Sequence, residues 1–114
     1  MISGIGTDIE LLKRFKKRGM NRRFLDLVFT KEERDYCERK KKPYVSYAGK
    51  FCAKESVIKA LGKKMHFKEI AILNNKEGRP EVYIKGKLNK KIKCSISHCE
   101  DYAVACAIIN KNGK

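Results

Sequence analysis

Long hydrophobic runs are missing from this sequence. No apolar stretch approaches the roughly 20 residues that a membrane-spanning helix needs. The opening residues, MISGIGTDIE, lack the basic-then-apolar pattern of a secretory signal. These two absences argue against an integral membrane protein and against a secreted one, and they predict a soluble, cytoplasmic protein with no membrane partner.

The cysteine pattern lacks the features of a disulfide framework. The five cysteines are odd in number and form no C-x-x-C pair. Cys94, His98 and Cys99 stand close together, but their spacing matches no common zinc pattern and no fourth ligand is evident. The cysteines are therefore interpreted as free thiols of small hydrophobic character.

Acidic residues are few relative to basic ones. The sequence has 28 Lys and Arg against 13 Asp and Glu, which gives a formal net charge of +15. Such a balance indicates a partner that is an acidic protein, a nucleic acid or a phosphorylated ligand. The charge is concentrated in KRFKKRGMNRR, residues 13–23, which holds seven basic side chains and no acidic one.

The rest of the pattern predicts one α+β domain over residues 1–114, a length that fits a single domain. Apolar periodicity predicts a long helix over residues 44–62, which ends at Gly62. Thr30 and Glu33 predict a capping box at the start of the helix before it. The predicted strands cover residues 2–9, 69–73, 81–85, 92–98 and 102–110. These elements predict a mostly antiparallel sheet packed on a long central helix.

Two charged residues lie four apart on an apolar face of the long helix. Glu55 and Lys59 have Phe51 and Ile58 as neighbours on that face. On a surface, such a pair contributes only a few tenths of a kcal/mol. A carboxylate in apolar surroundings is more often a metal ligand or an acid–base group. The clear polar stripe of this helix is predicted to consist of Lys50 and Lys54 instead.

Asp8 raises the same question at the end of the first strand, in GIGTDIE. Strand alternation places Asp8 and Glu10 on one side. Asp8 alone fits a turn or a helix N-cap equally well. The spacing does not say whether Asp8 meets Glu55. If the two meet, they form an oxygen site suited to Mg²⁺, which binds a few carboxylates and keeps positions for substrate phosphates.

Three segments in order, GIGTDIE, FCAKESVIKALG and SISHCEDYAVACAII, resemble the holo-acyl-carrier-protein synthase family of small 4′-phosphopantetheinyl transferases. The resemblance runs from Ile2 to Ile109, and GRP resembles the family's G-K-P before a strand. It implies the single-repeat phosphopantetheinyl transferase fold. It also implies a reaction in which a serine of an apo carrier protein attacks the β-phosphate of coenzyme A and 3′,5′-ADP leaves.

The resemblance implies roles for the charged residues. Asp8 and Glu55 match the Mg²⁺ ligands, and Glu55 would also help to take up the serine proton, directly or through a bound water. Lys59 would contact phosphate as a point charge. Glu10 matches a ligand of the larger two-repeat relatives, whereas many small synthases have no acid there, so its role stays open between metal ligand and exposed strand-end residue.

Other positions match the contacts of the family with coenzyme A. Ser97 and His98 match an S-x-[ST]-H segment near the coenzyme. Lys63 and Lys64 replace the family's Thr-Gly after the long helix, which puts the usual backbone contacts in doubt and offers two phosphate-binding ammonium groups. Lys50 stands where relatives commonly have Arg.

The basic helix predicted over residues 11–18 and the residues after it match the surface that docks the acidic acyl carrier protein. Arg14 and Arg23 match best, with Lys17, Arg18 and Arg22 as helpers, and complementary charge speeds encounter and orients the partner. The family's single-repeat members assemble as homotrimers with sites at the subunit interfaces, so the same assembly is expected here.

The alternative from another class is a basic nucleic-acid-binding module without catalysis. The net charge and the basic run satisfy its electrostatic requirement. The sequence has no aromatic-and-glycine strand motif that reads bases, so no nucleic-acid partner is expected.

Overall fold

A single long helix, α4 (Pro43–Leu61), lies at the centre of the fold. The structure, a computed structural model, describes residues 1–18 and 21–111, except for the side chain of Arg18. Pro43 occupies the first turn of α4, where its missing N–H is not needed. Gly62 ends the helix in the left-handed conformation (φ 71°) and donates its N–H to the carbonyl of Ile58. The predicted helix is confirmed to within one residue at each end.

Three short helices precede α4. They are α1 (Leu12–Arg18), α2 (Arg22–Val28) and α3 (Lys31–Glu38). The capping box predicted from Thr30 and Glu33 is present at the start of α3. Aromatic side chains join the short helices to α4, since the ring of Phe15 on α1 lies 5.4 Å from that of Phe51 and 5.9 Å from that of Phe24. The basic segment is thereby held against the central helix.

The strands form two antiparallel sheets rather than one. The first contains β1 (Ile2–Leu11), β6 (Tyr102–Asn110) and β5 (Ile92–His98) in that order. The second contains β2 (Ile70–Asn74), β3 (Pro80–Ile84) and the two-residue β4 (Lys87–Leu88). The predicted fold class is confirmed, and β4 is a short edge strand that the predicted strand ranges did not include.

The two glycines of the GIG motif let β1 pack directly on α4. A methyl group on Gly4 would collide with the carbonyl oxygen of Ala60, and one on Gly6 with that of Ser56. Backbone therefore meets backbone at this contact, which only glycine permits. The close approach brings the carboxyl-terminal half of β1 beside Glu55 and Lys59.

The predicted polar stripe of α4 is wrong. Lys50 is 3% exposed and Lys54 is 0% exposed, because both side chains turn inward under the surrounding elements. Of the charged residues considered on this helix, Lys59 is the exposed one. Each buried ammonium is hydrogen-bonded, as burial of a charge requires.

The outer face of the first sheet is apolar and uncovered. Ile5 is 69% exposed and Ile9 is 60% exposed on β1, and Tyr102 and Val104 are 43% and 38% exposed on the adjacent β6. A contiguous apolar patch of this kind is typical of a surface that another protein covers. None of the described helices combines the length and the hydropathy needed to cross a bilayer.

Candidate active site

Three carboxylates lie near one another where β1 packs against α4, close enough to influence one another's charge. Asp8 and Glu10 alternate onto the face of β1 that packs on the helix, as predicted, and both are half-buried. Burial raises the pKa of Glu10 to about 7, and Asp8 adds to this shift as a hydrogen-bond partner and as a negative charge. Glu55 of α4 contributes to the same shift, so all three groups lie within electrostatic reach of one another.

Glu55, on α4, is also affected by burial and by the neighbouring charges. Burial raises its pKa, the negative charge of Asp8 raises it further, and the ammonium of Lys59 opposes both effects. The structure thus brings together Asp8 and Glu55, whose meeting the sequence could not decide. A site that holds several carboxylates so close together favours bound protons or a bound cation.

Lys59 lies at the solvent edge of the carboxylate cluster. Its Nζ donates a hydrogen bond of 2.9 Å to the carbonyl of Thr7 and lies 3.5 Å from Oδ1 of Asp8. Its side chain is 54% exposed, so it can still turn toward an approaching anion. The ion pair that Lys59 forms is with Asp8 of β1, not with Glu55 on its own helix.

The cluster fits a hard divalent cation. Oδ2 of Asp8 is buried and accepts no hydrogen bond from a donor group of the described residues. Among the described residues, no group of three or more His, Cys, Asp or Glu side chains has the arrangement of a complete metal site. Mg²⁺ does not need one, because it binds through one or two carboxylates and completes its shell with water and substrate phosphates.

Cys52 lies beneath the cluster and was missed by the sequence reasoning. Its thiol donates a 3.5 Å hydrogen bond to the carbonyl of Ala103. Burial raises the pKa of this thiol, and the negative charge of Asp8 raises it further. Cys52 therefore stays protonated, so it lines the site as a neutral thiol and does not supply a thiolate ligand. All five cysteines are free, as predicted.

An open cleft of about 490 Å³ lies on another side of α4. His98, at the end of β5, lies at this cleft together with Lys50, Asn74 and Arg79. Nζ of Lys50 donates to the carbonyl of Ile72 (2.5 Å) and to Oδ1 of Asn74 (2.7 Å). Burial lowers the pKa of Lys50.

The cleft combines basic and aromatic groups, since the ammonium of Lys50 also lies 4.5 Å from the ring centre of Tyr36. Arg79, in the GRP segment, was not singled out from the sequence, because a lone arginine in a turn carries no signal. Ser97 is exposed and alternates onto the opposite face of β5 from His98.

The cleft and the carboxylate cluster lie on opposite sides of α4. Lys50 and Lys59 are nine residues apart, which is about two and a half helical turns. Ser46, which lines the cleft, and Glu55 have the same spacing. Within one chain, a small molecule at the carboxylates is therefore separated from the cleft by the body of the helix.

The remaining predicted residues lie on exposed segments. Lys63 and Lys64 are exposed in the loop after Gly62. Arg14 and Lys17 are exposed on α1, and the charge of Arg14 lowers the pKa of Glu10, so this arginine borders the carboxylate cluster.

Arg22 and Arg23 are exposed in the first turn of α2. Positive charge is unfavourable at the amino-terminal end of a helix, where the macrodipole is itself positive. Helix stability therefore does not explain the position of the two arginines. The side chain of Arg18 lies outside the described residues.

A comparison with protein families identifies the family of the chain. The model of the 4′-phosphopantetheinyl transferase superfamily matches residues 4–107 of the chain. The chain therefore belongs to the 4′-phosphopantetheinyl transferase superfamily and is an enzyme.

Within that superfamily its relatives are holo-[acyl-carrier-protein] synthases. The synthase of Thermodesulfovibrio yellowstonii is 44% identical over 113 positions, which cover 96% of this chain and 99% of that protein. The synthase of Caldanaerobacter subterraneus subsp. tengcongensis is 43% identical over 116 positions, with 91% of each chain covered. A crystal structure of the Bacillus anthracis synthase in complex with CoA (3′,5′-ADP) superposes with a TM-score of 0.83 at 32% identity, with 96% of each chain covered.

The relatives bear on the choice between a synthase and a nucleic-acid-binding module, the two functions considered from the sequence. Matches that span nearly the whole chain favour the synthase over a basic nucleic-acid-binding module.

Proposed function

We propose that this protein transfers the 4′-phosphopantetheine group of coenzyme A to a serine of an apo acyl carrier protein. The serine oxygen forms a bond to the β-phosphorus of coenzyme A. The bond from that phosphorus to the bridging oxygen breaks, 3′,5′-ADP leaves with the electron pair, and the serine proton passes to a base. The observation that carries the proposal is the carboxylate cluster with its buried, unpartnered Asp8 oxygen.

Asp8 and Glu55 would hold Mg²⁺ in this reaction, with Glu10 beside Asp8 as a further oxygen donor. When bound, Mg²⁺ neutralises the pyrophosphate of coenzyme A and stabilises charge on the leaving phosphate. The raised pKa values of Glu10 and Glu55 support this assignment, because a bound cation offsets the repulsion between the carboxylates.

The protein's own groups handle the proton and the phosphate charge. Glu55 would accept the serine proton, and its raised pKa, which brings its basicity closer to neutral pH, supports this role. Lys59 would contact a phosphate oxygen, and the exposure of its ammonium beside Asp8 supports this contact. Arg14 borders the cluster, so a carrier protein docked on α1 would present its serine beside Glu55.

The nucleotide end of coenzyme A is assigned to the cleft of Lys50, Arg79 and His98. Its basic side chains suit phosphate, and Tyr36 supplies an aromatic surface. Ser97 and the loop lysines Lys63 and Lys64 remain candidate contacts for the same molecule. One coenzyme A at both surfaces then requires two chains, because α4 separates cleft and carboxylates within each chain.

Assembly into a homotrimer supplies the second chain. The exposed apolar face around Ile5, Ile9 and Val104 gives each copy a surface to bury. The number three comes from the resemblance to the single-repeat synthases. Each interface would join the carboxylates of one subunit to the cleft of the next.

The reaction is tested by mass spectrometry of the carrier. Apo acyl carrier protein incubated with this protein, coenzyme A and Mg²⁺ is expected to gain the mass of one phosphopantetheine group, and chelation of the metal is expected to prevent the gain. Asp8→Asn and Glu55→Gln are expected to lower the rate at least about a hundred-fold, as loss of a directly acting group does. Both variants should keep the wild-type circular dichroism spectrum. An unmodified carrier with the wild-type protein would refute the proposal.

A further inference from the structure

Lys54, the residue before Glu55, forms an ion pair in the protein interior. Its Nζ lies 2.6 Å from Oε1 of Glu33 on α3, and both side chains are 0% exposed. Ion pairs so deeply buried are not explained by stability alone, since apolar residues of similar volume often serve as well. The pair therefore calls for a functional explanation.

The ammonium of Lys54 has no hydrogen-bond donor left for a ligand. An ammonium has three N–H groups. Besides Glu33, Lys54 Nζ contacts the carbonyls of Val28 at 2.6 Å and Phe67 at 3.1 Å. The ring of Phe29 lies 5.3 Å away on a further side. Lys54 cannot reach a substrate phosphate, in contrast to the half-exposed Lys59 five residues on.

Both carboxylate oxygens of Glu33 also accept hydrogen bonds from the protein backbone. Its Oε1 accepts the N–H of Thr30 in the capping box (2.9 Å), and its Oε2 accepts the N–H of Ile72 on β2 (2.7 Å). The pair thus connects the end of α2, the start of α3, the turn at Phe67 and β2 to one residue of α4. A residue bound on so many sides sets the rotation of its helix about its own axis.

That rotation decides where the neighbouring side chains point. Consecutive helical residues are about 100° apart, so the direction of Lys54 toward α3 fixes the direction of Glu55 toward β1. We propose that the Lys54–Glu33 pair positions the active site, holding α4 at the rotation at which Glu55 faces Asp8, without contact to substrate. The inference rests on the proposed function in taking Glu55 as a metal ligand.

Two variants test the pair, and a third is a matched control. Lys54→Met removes the ammonium, and the milder Glu33→Gln keeps it but removes its counter-charge. Tyr47→Phe removes a different polar contact between α3 and α4, the 2.6 Å hydrogen bond that the Tyr47 hydroxyl donates to Oε2 of Glu38. Tyr47 lies about two turns before Glu55 on α4. All three are expected to lower the melting temperature.

The two variants of the ion pair should differ from the Tyr47→Phe control in how tightly they bind metal. Mn²⁺ binding is followed by electron paramagnetic resonance on the assembled protein with coenzyme A present, and kcat and KM are measured alongside. Lys54→Met and Glu33→Gln are expected to weaken Mn²⁺ binding about ten-fold or more and to lower kcat, as loss of a supporting contact does, with little change in the KM for carrier. Tyr47→Phe should bind Mn²⁺ as the wild type does.

The inference would be overturned if Lys54→Met and Glu33→Gln bound Mn²⁺ as tightly as the wild type does and had the same kcat. Should Lys54→Met fail to fold, Glu33→Gln decides alone. A crystal structure of the folded variant gives a reading that does not depend on the proposed function. Movement of Glu55 away from Asp8 supports the positioning role, and an unmoved Glu55 refutes it. A wild-type protein that neither binds Mn²⁺ nor modifies the carrier refutes the proposed function instead.

Discussion

Glu10 is a half-buried carboxylate of the cluster whose environment differs from that of a surface carboxylate. Burial raises its pKa to about 7, and the neighbouring Asp8 adds to the shift. Near neutral pH Glu10 is therefore about half protonated. Without a cation, this proton relieves the repulsion within the cluster.

Removal of Glu10 is expected to change how stability depends on pH. Between pH 4.5 and about 7 the folded protein holds the Glu10 proton and the unfolded chain has lost it. Stability from this group is therefore complete below pH 4.5 and is lost as the pH rises through 7. Measured with chelator present, the stability of the wild type relative to Glu10→Gln should fall from pH 5 to pH 7.5. A difference that stays constant over this range would contradict the shifted pKa.

Bound Mg²⁺ should offset the loss of wild-type stability, relative to Glu10→Gln, that occurs as the pH rises. A bound cation favours the ionised carboxylates, so Mg²⁺ should stabilise the wild type most at the higher pH. The measurement is a thermal melt at each pH with and without Mg²⁺. Glu10→Gln should respond less if Glu10 is a ligand, which would settle the role that sequence reasoning left open.

At the scale of elements, the site depends on the contact between β1 and α4. Gly4 and Gly6 let the strand lie directly on the helix, and Ser56 reaches across to the carbonyl of Ala105 on β6 with a 3.1 Å bond. Two elements far apart in sequence thus meet without intervening side chains. Asp8 and Glu55 face each other because nothing larger than hydrogen separates the backbones nearby.

A methyl group at this contact is expected to damage both stability and activity. In Gly6→Ala the new carbon would collide with the carbonyl of Ser56 and would lie 2.9 Å from the backbone nitrogen of Ala60, neither of which can rotate away. Overpacking of this kind destabilises by about 1–3 kcal/mol, and displacement of β1 should also slow transfer. Urea denaturation measures the first effect and the carrier assay the second.

Ser3→Ala is the control on the same strand. Ser3 is exposed, and its hydroxyl makes a single long hydrogen bond of 3.5 Å to the carbonyl of Ile109. Surface changes of this kind shift stability by less than about 0.5 kcal/mol. Equal effects of the two substitutions would show that the close strand–helix approach does not matter.

For the whole molecule, the main consequence of the fold is that the carboxylate cluster and the basic cleft, the two surfaces proposed to bind coenzyme A, lie on different sides of α4. Glu55 belongs to one surface, and Arg79 and His98 to the other. A site that joins them across a subunit interface can be assembled from two defective chains, since each supplies the part that the other lacks.

Complementation between inactive chains tests this arrangement. Glu55→Gln and the double variant Arg79→Ala/His98→Ala should each have low activity. When they are expressed together and mix at random, about a quarter of the interfaces regain both intact surfaces. The recovered rate is measured with the carrier assay.

A mixture of Asp8→Asn and Glu55→Gln chains is the matched control. Their defects lie in the same carboxylate cluster, so no interface regains an intact one. This mixture should stay inactive. If the first mixture also stays as inactive as its parents, the proposal of shared sites fails.

Sequence reasoning reached part of this organisation from whole-chain patterns. The three ordered motifs indicated the family, which the comparisons confirm. The polar stripe of Lys50 and Lys54 was wrong, because helical periodicity reports which residues share a side and not what covers that side. The cleft was missed for a related reason, since its groups come from α4, the β2–β3 turn and β5.

What the sequence determined by itself is local. The capping box of Thr30 and Glu33, the end of α4 at Gly62 and the alternation of Asp8 and Glu10 depend on neighbours within a few residues, so short-range rules predict them. Only the tertiary structure decided that Asp8 meets Glu55, that Lys54 is buried against α3, and that the cleft opens on the far side of the helix. Those contacts join segments distant along the chain, and they depend on which backbones can approach closely and on which charges find a partner inside.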